Sequence, residues 1–321
     1  MRIIFLGTPE FAVSCLDALC KSKHEIVAVV TQPDKPSERG NKIEFSKVKQ
    51  YAINNRLPLF QFLKISRDGV IDLKMLKPDL MVTAAYGQIL SQEVIDIPKY
   101  GIINVHASLL PKYRGASPIQ TAIINGDSKT GITIMKTDIG LDTGDIVSQR
   151  EVEISEDDNA GTLTEKLSQV GAKLLLETID SIENGTATYE KQDNLLASVT
   201  RKIKKEDSVI IWNKSSREIV SLINGTNPSP IARTTLKSEL IKIYKAKPVD
   251  FILSDQDNIL EAGSVLSCSS AKRGLFIKTG NTAIEILSMQ FPGGKILDGK
   301  ALINGRKIAV GDKFETIINH N

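Results

Sequence analysis

The stretch MRIIFLGTPEFAVSCLDAL, residues 1–19, decides the fold of the first half of the chain. An apolar run over residues 2–6 is stopped by Gly-Thr-Pro at 7–9, which favours a turn. Apolar side chains then recur at near-helical spacing, at Phe11, Leu16 and Leu19. The stretch therefore predicts a strand, a turn and a helix.

The same alternation continues outward from this stretch. We expect strands over residues 26–30, 58–60, 79–84 and 101–105, and a helix over residues 48–54. Strands that are apolar throughout and alternate with helices indicate a parallel-rich α/β sheet covered on both faces. Such sheets bind ligands at the carboxyl ends of their strands. Three predicted turns fall there, namely Gly7-Thr8-Pro9, Ala85-Tyr86-Gly87 and His106-Ala107-Ser108.

The second half has a different pattern. Apolar residues with helical spacing over 163–179 predict a helix that closes a first domain, residues 1–185. Residues 186–206 are mixed in polarity and basic at the end, which favours a linker. Short β-rich runs at 240–244, 274–278 and 283–287 predict a small barrel-like β domain over residues 207–321.

Composition supports two domains and limits the functions. The chain has 321 residues, of which 41% are hydrophobic and 25% charged. The N-terminus lacks a signal-peptide cleavage pattern, and no apolar run reaches the ~20 residues that span a bilayer, so we expect a cytoplasmic protein. The three cysteines lie in no ligand-like cluster, which favours free thiols and no metal site.

Charge is unevenly distributed. The formal net charge is +3, yet residues 201–250 hold eleven lysines and arginines against five acidic residues. This region is therefore a candidate surface for a polyanion.

Asn104-Val105-His106 closes a predicted strand. Alternation puts Asn104 and His106 on the same face, where an amide and an imidazole can converge on one substrate oxygen. The pattern alone leaves two interpretations equally open: a catalytic pair, or a histidine whose hydrogen bonds are satisfied at a strand end.

The loop DIGLDTGD, residues 138–145, has three acids around two glycines. Its spacing does not match a calcium-binding EF-hand, which needs a closing glutamate. Two interpretations remain: aspartates that bond their own backbone in a turn, or a loop in which one aspartate orients His106.

Nucleotide cofactors are poorly supported, because neither GxGxxG nor GxxxxGK[ST] is present. Residues 31–42 are rich in proline, glycine and charge, which indicates an irregular loop. It is either a solvated loop or one whose Arg39 and Lys42 contact phosphates.

Several motifs together resemble the methionyl-tRNA formyltransferase family. They are GTPEFAV at 7–13, TQPDKPSERG at 31–40, AYGQIL at 85–90, NVHASLLPKYRGASPIQ at 104–120 and DIGLDTGDI at 138–146. The resemblance runs through about the first 185 residues, and NVHxSLLPxxRG with GLDTGD is specific to folate-dependent formyl transfer.

The resemblance implies a Rossmann-like formyltransferase domain, an OB-like C-terminal barrel and 10-formyltetrahydrofolate as formyl donor, without a metal. It implies Asn104, His106 and Asp142 as the catalytic residues. It also implies a folate pocket formed by Ser108, Leu109, Leu110 and Pro111, with walls from Tyr86, Gly87, Gln88, Ile89, Leu90, Asp138, Ile139 and Gly140.

The implied acceptor is methionyl initiator tRNA, bound by Arg39, Lys42, Lys202, Lys204 and Lys205. The three lysines of the linker are equally well explained as solvated. The C-terminal domain departs from the family: Ile211 replaces an aspartate before Trp212, and residues 224–231 diverge, so no contacts are carried over there.

The resemblance to a larger family leaves other acceptors open, namely a small amine, an amino sugar or water. A non-catalytic RNA-binding protein would be expected to lack the three catalytic residues. A monomer is the simplest expectation.

Overall fold

The protein is described by a computed structural model over residues 1–36, 43–250 and 252–317. These residues form two compact units. Unit 1 comprises residues 1–118, 129–153 and 164–200, and unit 2 comprises residues 119–128, 154–163 and those from 201 onward.

Unit 1 is built on a seven-stranded mixed sheet. Its strands are β1 Arg2–Gly7, β2 Glu25–Thr31, β5 Leu59–Gln61, β6 Leu80–Ala84, β7 Ile102–His106, β9 Lys129–Lys136 and β10 Ile146–Glu153. Their order across the sheet is β10-β9-β7-β6-β1-β2-β5. Strands β5, β2, β1, β6 and β7 are parallel, and β6 is buried along its whole length. The predicted α/β class and parallel core are confirmed.

The antiparallel edge, β9 and β10, is where the structure differs from the sequence-based expectation. Strand β9 pairs with β7, and β10 pairs with β9. Strand β10 lies at the open edge and is half exposed, so its sequence IVSQREVE is too polar to stand out as a strand.

Among the described residues, six α-helices begin in unit 1: α1 Glu10–Cys20, α2 Lys47–Asn54, α3 Ile65–Asp68, α4 Val70–Met75, α5 Gln92–Ile95 and α6 Pro118–Ile124. Helix α7 Ala160–Glu183 begins in unit 2 and ends in unit 1. Helix α1 buries Phe11, Leu16 and Leu19 together with Ala12 and Cys15. The strand, turn and helix predicted from residues 1–19 are therefore confirmed.

The stretch 31–42 is not wholly irregular. It contains a two-residue strand, β3 Lys35–Pro36, which pairs antiparallel with β4 Ile43–Glu44. Asp34, at the start of this stretch, is held by the buried side chain of Lys49. The Lys49 Nζ atom lies 2.5 Å from Asp34 Oδ2 and 2.9 Å from Gln61 Oε1. Arg39 and Lys42 lie outside the described residues.

The predicted linker packs within unit 1 as far as Thr200. Strand β11 Val199–Thr200 pairs in parallel with β8 Arg114–Gly115, and the Tyr113 N–H donates to Ser198 Oγ at 2.9 Å. Backbone groups need hydrogen-bond partners when they are buried, and residues 198–200 supply partners to residues 113–115.

Unit 2 centres on an antiparallel sheet. Its elements are α8 Ser216–Gly225, β12 Ala232–Leu236, β13 Glu239–Pro248, α9 Asp255–Asn258, β14 Leu275–Lys278, β15 Ala283–Gln290, β16 Ile296–Asp298, α10 Gly299–Asn304 and β17 Phe314–Glu315. The strand order is β14-β15-β13-β12-β17, with β16 beside β15. Trp212 is buried in its core against Phe314 and donates from Nε1 to Thr234 Oγ1 at 2.9 Å. The predicted small β domain is confirmed.

Among the residues described, none of the helices combines the length and apolar character needed to cross a membrane.

Candidate active site

Asn104 lies near the carboxyl end of β7, beside Thr83 of β6. Thr83 is buried, and its Oγ1 donates to Asn104 Oδ1 at 2.9 Å. Because the amide oxygen is occupied by this bond, the amide nitrogen is directed away from Thr83. It lies 3.5 Å from Asp142 Oδ1.

His106 lies two residues further along the same face and is only 6% exposed. Its Nε2 is 2.9 Å from the Tyr113 carbonyl oxygen. A carbonyl only accepts hydrogen bonds, so Nε2 carries a hydrogen. The other ring nitrogen, Nδ1, lies 3.6 Å from Asp142 Oδ2, which is longer than a hydrogen bond.

Asp142 is held above β7 by the loop between β9 and β10. The Lys136 N–H donates to the Asp145 carbonyl at 2.8 Å and closes this loop. Gly115 donates its backbone N–H to Asp142 Oδ2 at 2.7 Å. Asp142 itself adopts a left-handed backbone with φ +52°, which is uncommon for a residue with a side chain. The structure thus brings Asn104, His106 and Asp142 together, as the resemblance to known motifs implies.

Gly115 approaches Asp142 through a backbone that only glycine suits. Its φ is +95°, and a Cβ atom there would lie 2.6 Å from the Thr200 carbonyl oxygen. Glycine at this position lets the backbone N–H reach the carboxylate.

Asp138 accepts hydrogen bonds within its own loop, as the turn interpretation predicts. Its Oδ1 accepts from the Gly140 N–H at 3.1 Å and from Thr143 Oγ1 at 2.8 Å. The side chain therefore shapes the loop that carries Asp142.

The SLLP segment forms a rigid turn after β7. Ser108 Oγ donates to the Lys112 carbonyl at 2.6 Å, and Thr133 Oγ1 joins the Ser108 carbonyl to the Leu110 N–H at 2.7 and 3.0 Å. The side chains of Ser108 and Leu110 are buried. In the structure these two side chains build the turn, and Leu109 and Pro111 are the more accessible members.

The segment 86–90 likewise divides into buried and exposed residues. Tyr86 and Leu90 are buried in the core, and burial raises the pKa of Tyr86 to about 12. Gln88 bonds the Ile65 N–H and the Phe62 carbonyl, at 2.9 Å each. Tyr86, Gln88 and Leu90 therefore hold the segment in place.

Three branched apolar side chains of these predicted walls and loops are exposed to solvent. Ile89 is 87% exposed, Ile139 66% and Leu141 60%. Ile139 and Leu141 belong to the loop that carries Asp142, so their apolar side chains are available to a ligand there.

Lys202, Lys204 and Lys205 of the predicted tRNA-binding set are exposed on unit 2. The Lys204 N–H donates to Asp207 Oδ2 at 2.7 Å, and Asp207 also pairs with Arg201. The backbone at Lys204 is therefore held in place by Asp207.

Several residues of the site have no role in the sequence-based prediction: Thr83, Tyr113, Gly115 and Gln192. Thr83 could have been found from the alternation of the neighbouring strand. Gln192 carries no local signal, because it lies in a segment of mixed polarity that favoured a linker.

Comparison with known proteins decides the family. Residues 1–179 match the family model for formyl transferase, and residues 202–307 match that for the formyl transferase C-terminal domain. A methionyl-tRNA formyltransferase of Legionella pneumophila (strain Corby) is 42% identical over 308 residues, 96% of each chain. The chain belongs to the methionyl-tRNA formyltransferase family.

Further relatives support the assignment to the methionyl-tRNA formyltransferase family. The methionyl-tRNA formyltransferase of Alkaliphilus metalliredigens (strain QYMF) is 43% identical over 312 residues, 97% of each chain. An N-formyltransferase from Helicobacter canadensis, solved with folinic acid and dTDP-3-aminofucose, superposes with a TM-score of 0.65 at 22% identity. That superposition covers 89% of this chain and 98% of the other, and it shows a shared fold.

Proposed function

We propose that this chain transfers the formyl group of 10-formyltetrahydrofolate to the α-amine of methionyl initiator tRNA. The product is N-formylmethionyl-tRNA, which serves translation initiation. The observation that carries the proposal is the convergence of Asn104, His106 and Asp142 at the carboxyl end of β7. An amide and an imidazole can donate hydrogen bonds to an oxyanion, and a carboxylate can move a proton, which are two needs of acyl transfer to an amine.

The reaction exchanges one C–N bond for another. The donor supplies a formyl carbon: the amine nitrogen bonds to it, the bond from that carbon to N10 breaks, and the proton lost by the amine ends on N10. Between these events the formyl oxygen carries negative charge. Donors already in position stabilise such an oxyanion by about 3–4 kcal/mol each.

Asn104 and His106 are the proposed donors to that oxygen. Thr83 holds the Asn104 amide oxygen, so the NH₂ group is the part of Asn104 that is presented to a substrate. The Tyr113 carbonyl occupies His106 Nε2, so Nδ1 is the nitrogen that exchanges a proton.

Asp142 is the proposed proton relay. Its Oδ2 accepts the Gly115 N–H, and its Oδ1 lies 3.5 Å from the Asn104 amide nitrogen. This fixed carboxylate can accept the proton of the attacking amine, directly or through water.

The exposed apolar side chains suit the folate. Ile89, Ile139 and Leu141 are exposed apolar side chains that a flat pteridine ring can cover, and the 86–90 and 138–141 segments that carry them supply backbone groups. Of the proposed folate residues, Leu109, Pro111, Gly87 and Gly140 are accessible to a ligand, whereas Ser108, Leu110, Tyr86 and Leu90 act through their backbone.

The tRNA contacts are proposed to be electrostatic. Lys202, Lys204 and Lys205 are exposed lysines, and Arg39 and Lys42 belong to the stretch that follows the fixed base at Asp34. Replacing one phosphate-binding lysine should weaken the salt dependence of tRNA binding, with a slope change of about 0.7–0.9. The enzyme is proposed to act in the cytoplasm as a monomer.

The test is incubation of purified protein with methionyl initiator tRNA and 10-formyltetrahydrofolate. Formylmethionine is the expected product, detected after mild release of the amino acid. Formylation of a small amine or an amino sugar with no formylmethionine would overturn the acceptor, and release of formate alone would indicate a hydrolase.

A further inference from the structure

We propose that Gln192 is a positioning residue for formyl transfer, acting through Asp142. This inference rests on the proposed function, because it assigns Gln192 a part in that same reaction. Gln192 lies fifty residues after Asp142, in the segment that follows α7.

The Gln192 side chain forms hydrogen bonds to the backbone of the Asp142 loop on both sides of Thr143. Its Nε2 donates to the carbonyl of Asp142 at 2.9 Å and to the carbonyl of Gly144 at 2.8 Å. Both amide hydrogens are used, so the carboxamide is fixed in rotation as well as in place.

The amide oxygen of Gln192 is anchored in turn. It accepts from Arg114 Nε at 2.9 Å, and Arg114 Nη2 donates to Asn194 Oδ1 at 3.0 Å. Arg114 is only 7% exposed. The residue that follows it, Gly115, donates the backbone N–H to Asp142 Oδ2. Gln192 therefore joins the two segments that meet at the Asp142 carboxylate.

The chain on either side of Gln192 is also fastened to unit 1. Glu190 exchanges two backbone hydrogen bonds with Ile146, of 2.7 and 2.8 Å, and β11 pairs with β8. These contacts limit how far the Gln192 backbone can move, so a change in its side chain acts on the loop that it holds.

The position of Asp142 depends on such support. Asp142 has a backbone conformation with φ +52°, and its carboxylate lies 3.6 Å from His106 Nδ1 without a direct hydrogen bond. Misplacing a catalytic group by about 1 Å can lower turnover about a hundredfold. Removal of the Gln192 carboxamide is therefore expected to reduce turnover rather than substrate binding.

The experiment compares Gln192→Ala with Gln192→Glu. The alanine variant removes all hydrogen bonds of the side chain. The glutamate variant keeps the size of the side chain and the bond to Arg114 but places its other carboxylate oxygen against the carbonyls of Asp142 and Gly144. We expect kcat to fall about tenfold or more in both variants, with KM for each substrate within about twofold. Lys191→Ala, at the exposed neighbouring position, is the matched control.

A double-mutant cycle separates positioning from general support of the fold. In an Asp142→Asn background, where the carboxylate is absent, Gln192→Ala should lower the single-turnover rate by less than about twofold. An equal reduction in both backgrounds, or full activity of Gln192→Ala, overturns the proposal.

Folding is checked by thermal unfolding of each variant. Should Gln192→Ala fail to fold, Gln192→Met replaces it, because methionine fills a similar volume without donating hydrogen bonds. If that variant also fails to fold, the residue is structural and the proposal is wrong. Formylation of methionyl-tRNA by the unaltered enzyme is measured first, so failure of the proposed function itself is seen separately.

Discussion

Thr83 Oγ1 donates a hydrogen bond of 2.9 Å to Asn104 Oδ1, across the neighbouring parallel strands β6 and β7. The Thr83 hydroxyl can donate or accept, whereas the Asp142 carboxylate only accepts, so the two partners together favour one orientation of the Asn104 amide group. In that orientation the oxygen faces the sheet and the nitrogen faces Asp142. A threonine buried within a strand thereby holds the oxygen end of the amide that is proposed to meet the substrate with its nitrogen.

Replacing Thr83 with valine should therefore lower turnover while the fold persists. Valine keeps the shape but removes the donor, and a hydrogen bond of this kind contributes about 1 kcal/mol, or about fivefold in kcat. Steady-state kinetics should show a lower kcat with unchanged KM. Thr83→Ser, which restores the hydroxyl, should recover most of the rate, and equal rates for valine and serine would contradict the assignment.

His106→Ala should abolish turnover and leave tRNA affinity nearly unchanged. The turnover prediction follows because a general acid–base group raises the reaction rate about 10²–10⁴-fold. The affinity prediction follows because His106 is almost completely buried and offers little surface to the tRNA. Single-turnover formylation and tRNA binding, measured on the same preparation, check this. His106→Asn keeps a donor but cannot exchange a proton and should be comparably slow. If His106→Ala bound tRNA weakly but formylated bound methionyl-tRNA at the normal rate, His106 would be a tRNA-binding residue and not a catalytic one.

Gly144→Ala should displace the loop that carries Asp142. A Cβ atom at position 144 would overlap the Lys136 carbonyl oxygen, which belongs to the backbone and cannot turn aside. We expect a destabilisation of about 1–3 kcal/mol in urea unfolding together with a fall in turnover. Gly294→Ala is the control, because the nearest atom to its added Cβ, the Phe291 carbonyl oxygen, lies 3.4 Å away in ordinary contact. It should leave turnover unchanged; normal turnover in Gly144→Ala would show that the loop tolerates the shift.

Asp207 should contribute stability that depends on pH. Its hydrogen bond with Arg201 lowers the pKa of the carboxyl from 3.8 to about 2, while burial opposes that change. A carboxyl with a depressed folded-state pKa stabilises the fold above its unfolded pKa, and this contribution is lost as pH falls through the folded value. Because the Arg201 side chain is mostly exposed, we expect no more than about 1 kcal/mol.

The comparison is urea unfolding of the unaltered protein and Asp207→Asn. The difference in unfolding free energy should be largest near about pH 6 and should shrink toward about pH 3. Glu206→Gln, at the exposed neighbour, is the matched control. A difference that stays constant over this range would show that the ion pair contributes nothing to stability.

Much of unit 1 could be predicted from local sequence. The strand, turn and helix of residues 1–19 follow from an apolar run, a Gly-Thr-Pro stop and helical spacing, which act between residues close in the chain. The shared face of Asn104 and His106 follows from strand alternation in the same way. Asp142 needed the resemblance to known motifs, since its loop alone fitted an ordinary turn equally well.

The rest was decided by contacts between residues far apart in the chain. The antiparallel return of β9 and β10 brings Asp142 back over β7, and β10 is too polar to show a clear strand pattern. Thr83 and Asn104 are 21 residues apart, and Gln192 and Asp142 are 50 apart. Local sequence patterns were enough to predict the parallel core, and known motifs were enough to name the residues proposed for catalysis. Only the tertiary structure determined how those residues are oriented, because the orienting hydrogen bonds form between segments that meet only once the sheet is assembled.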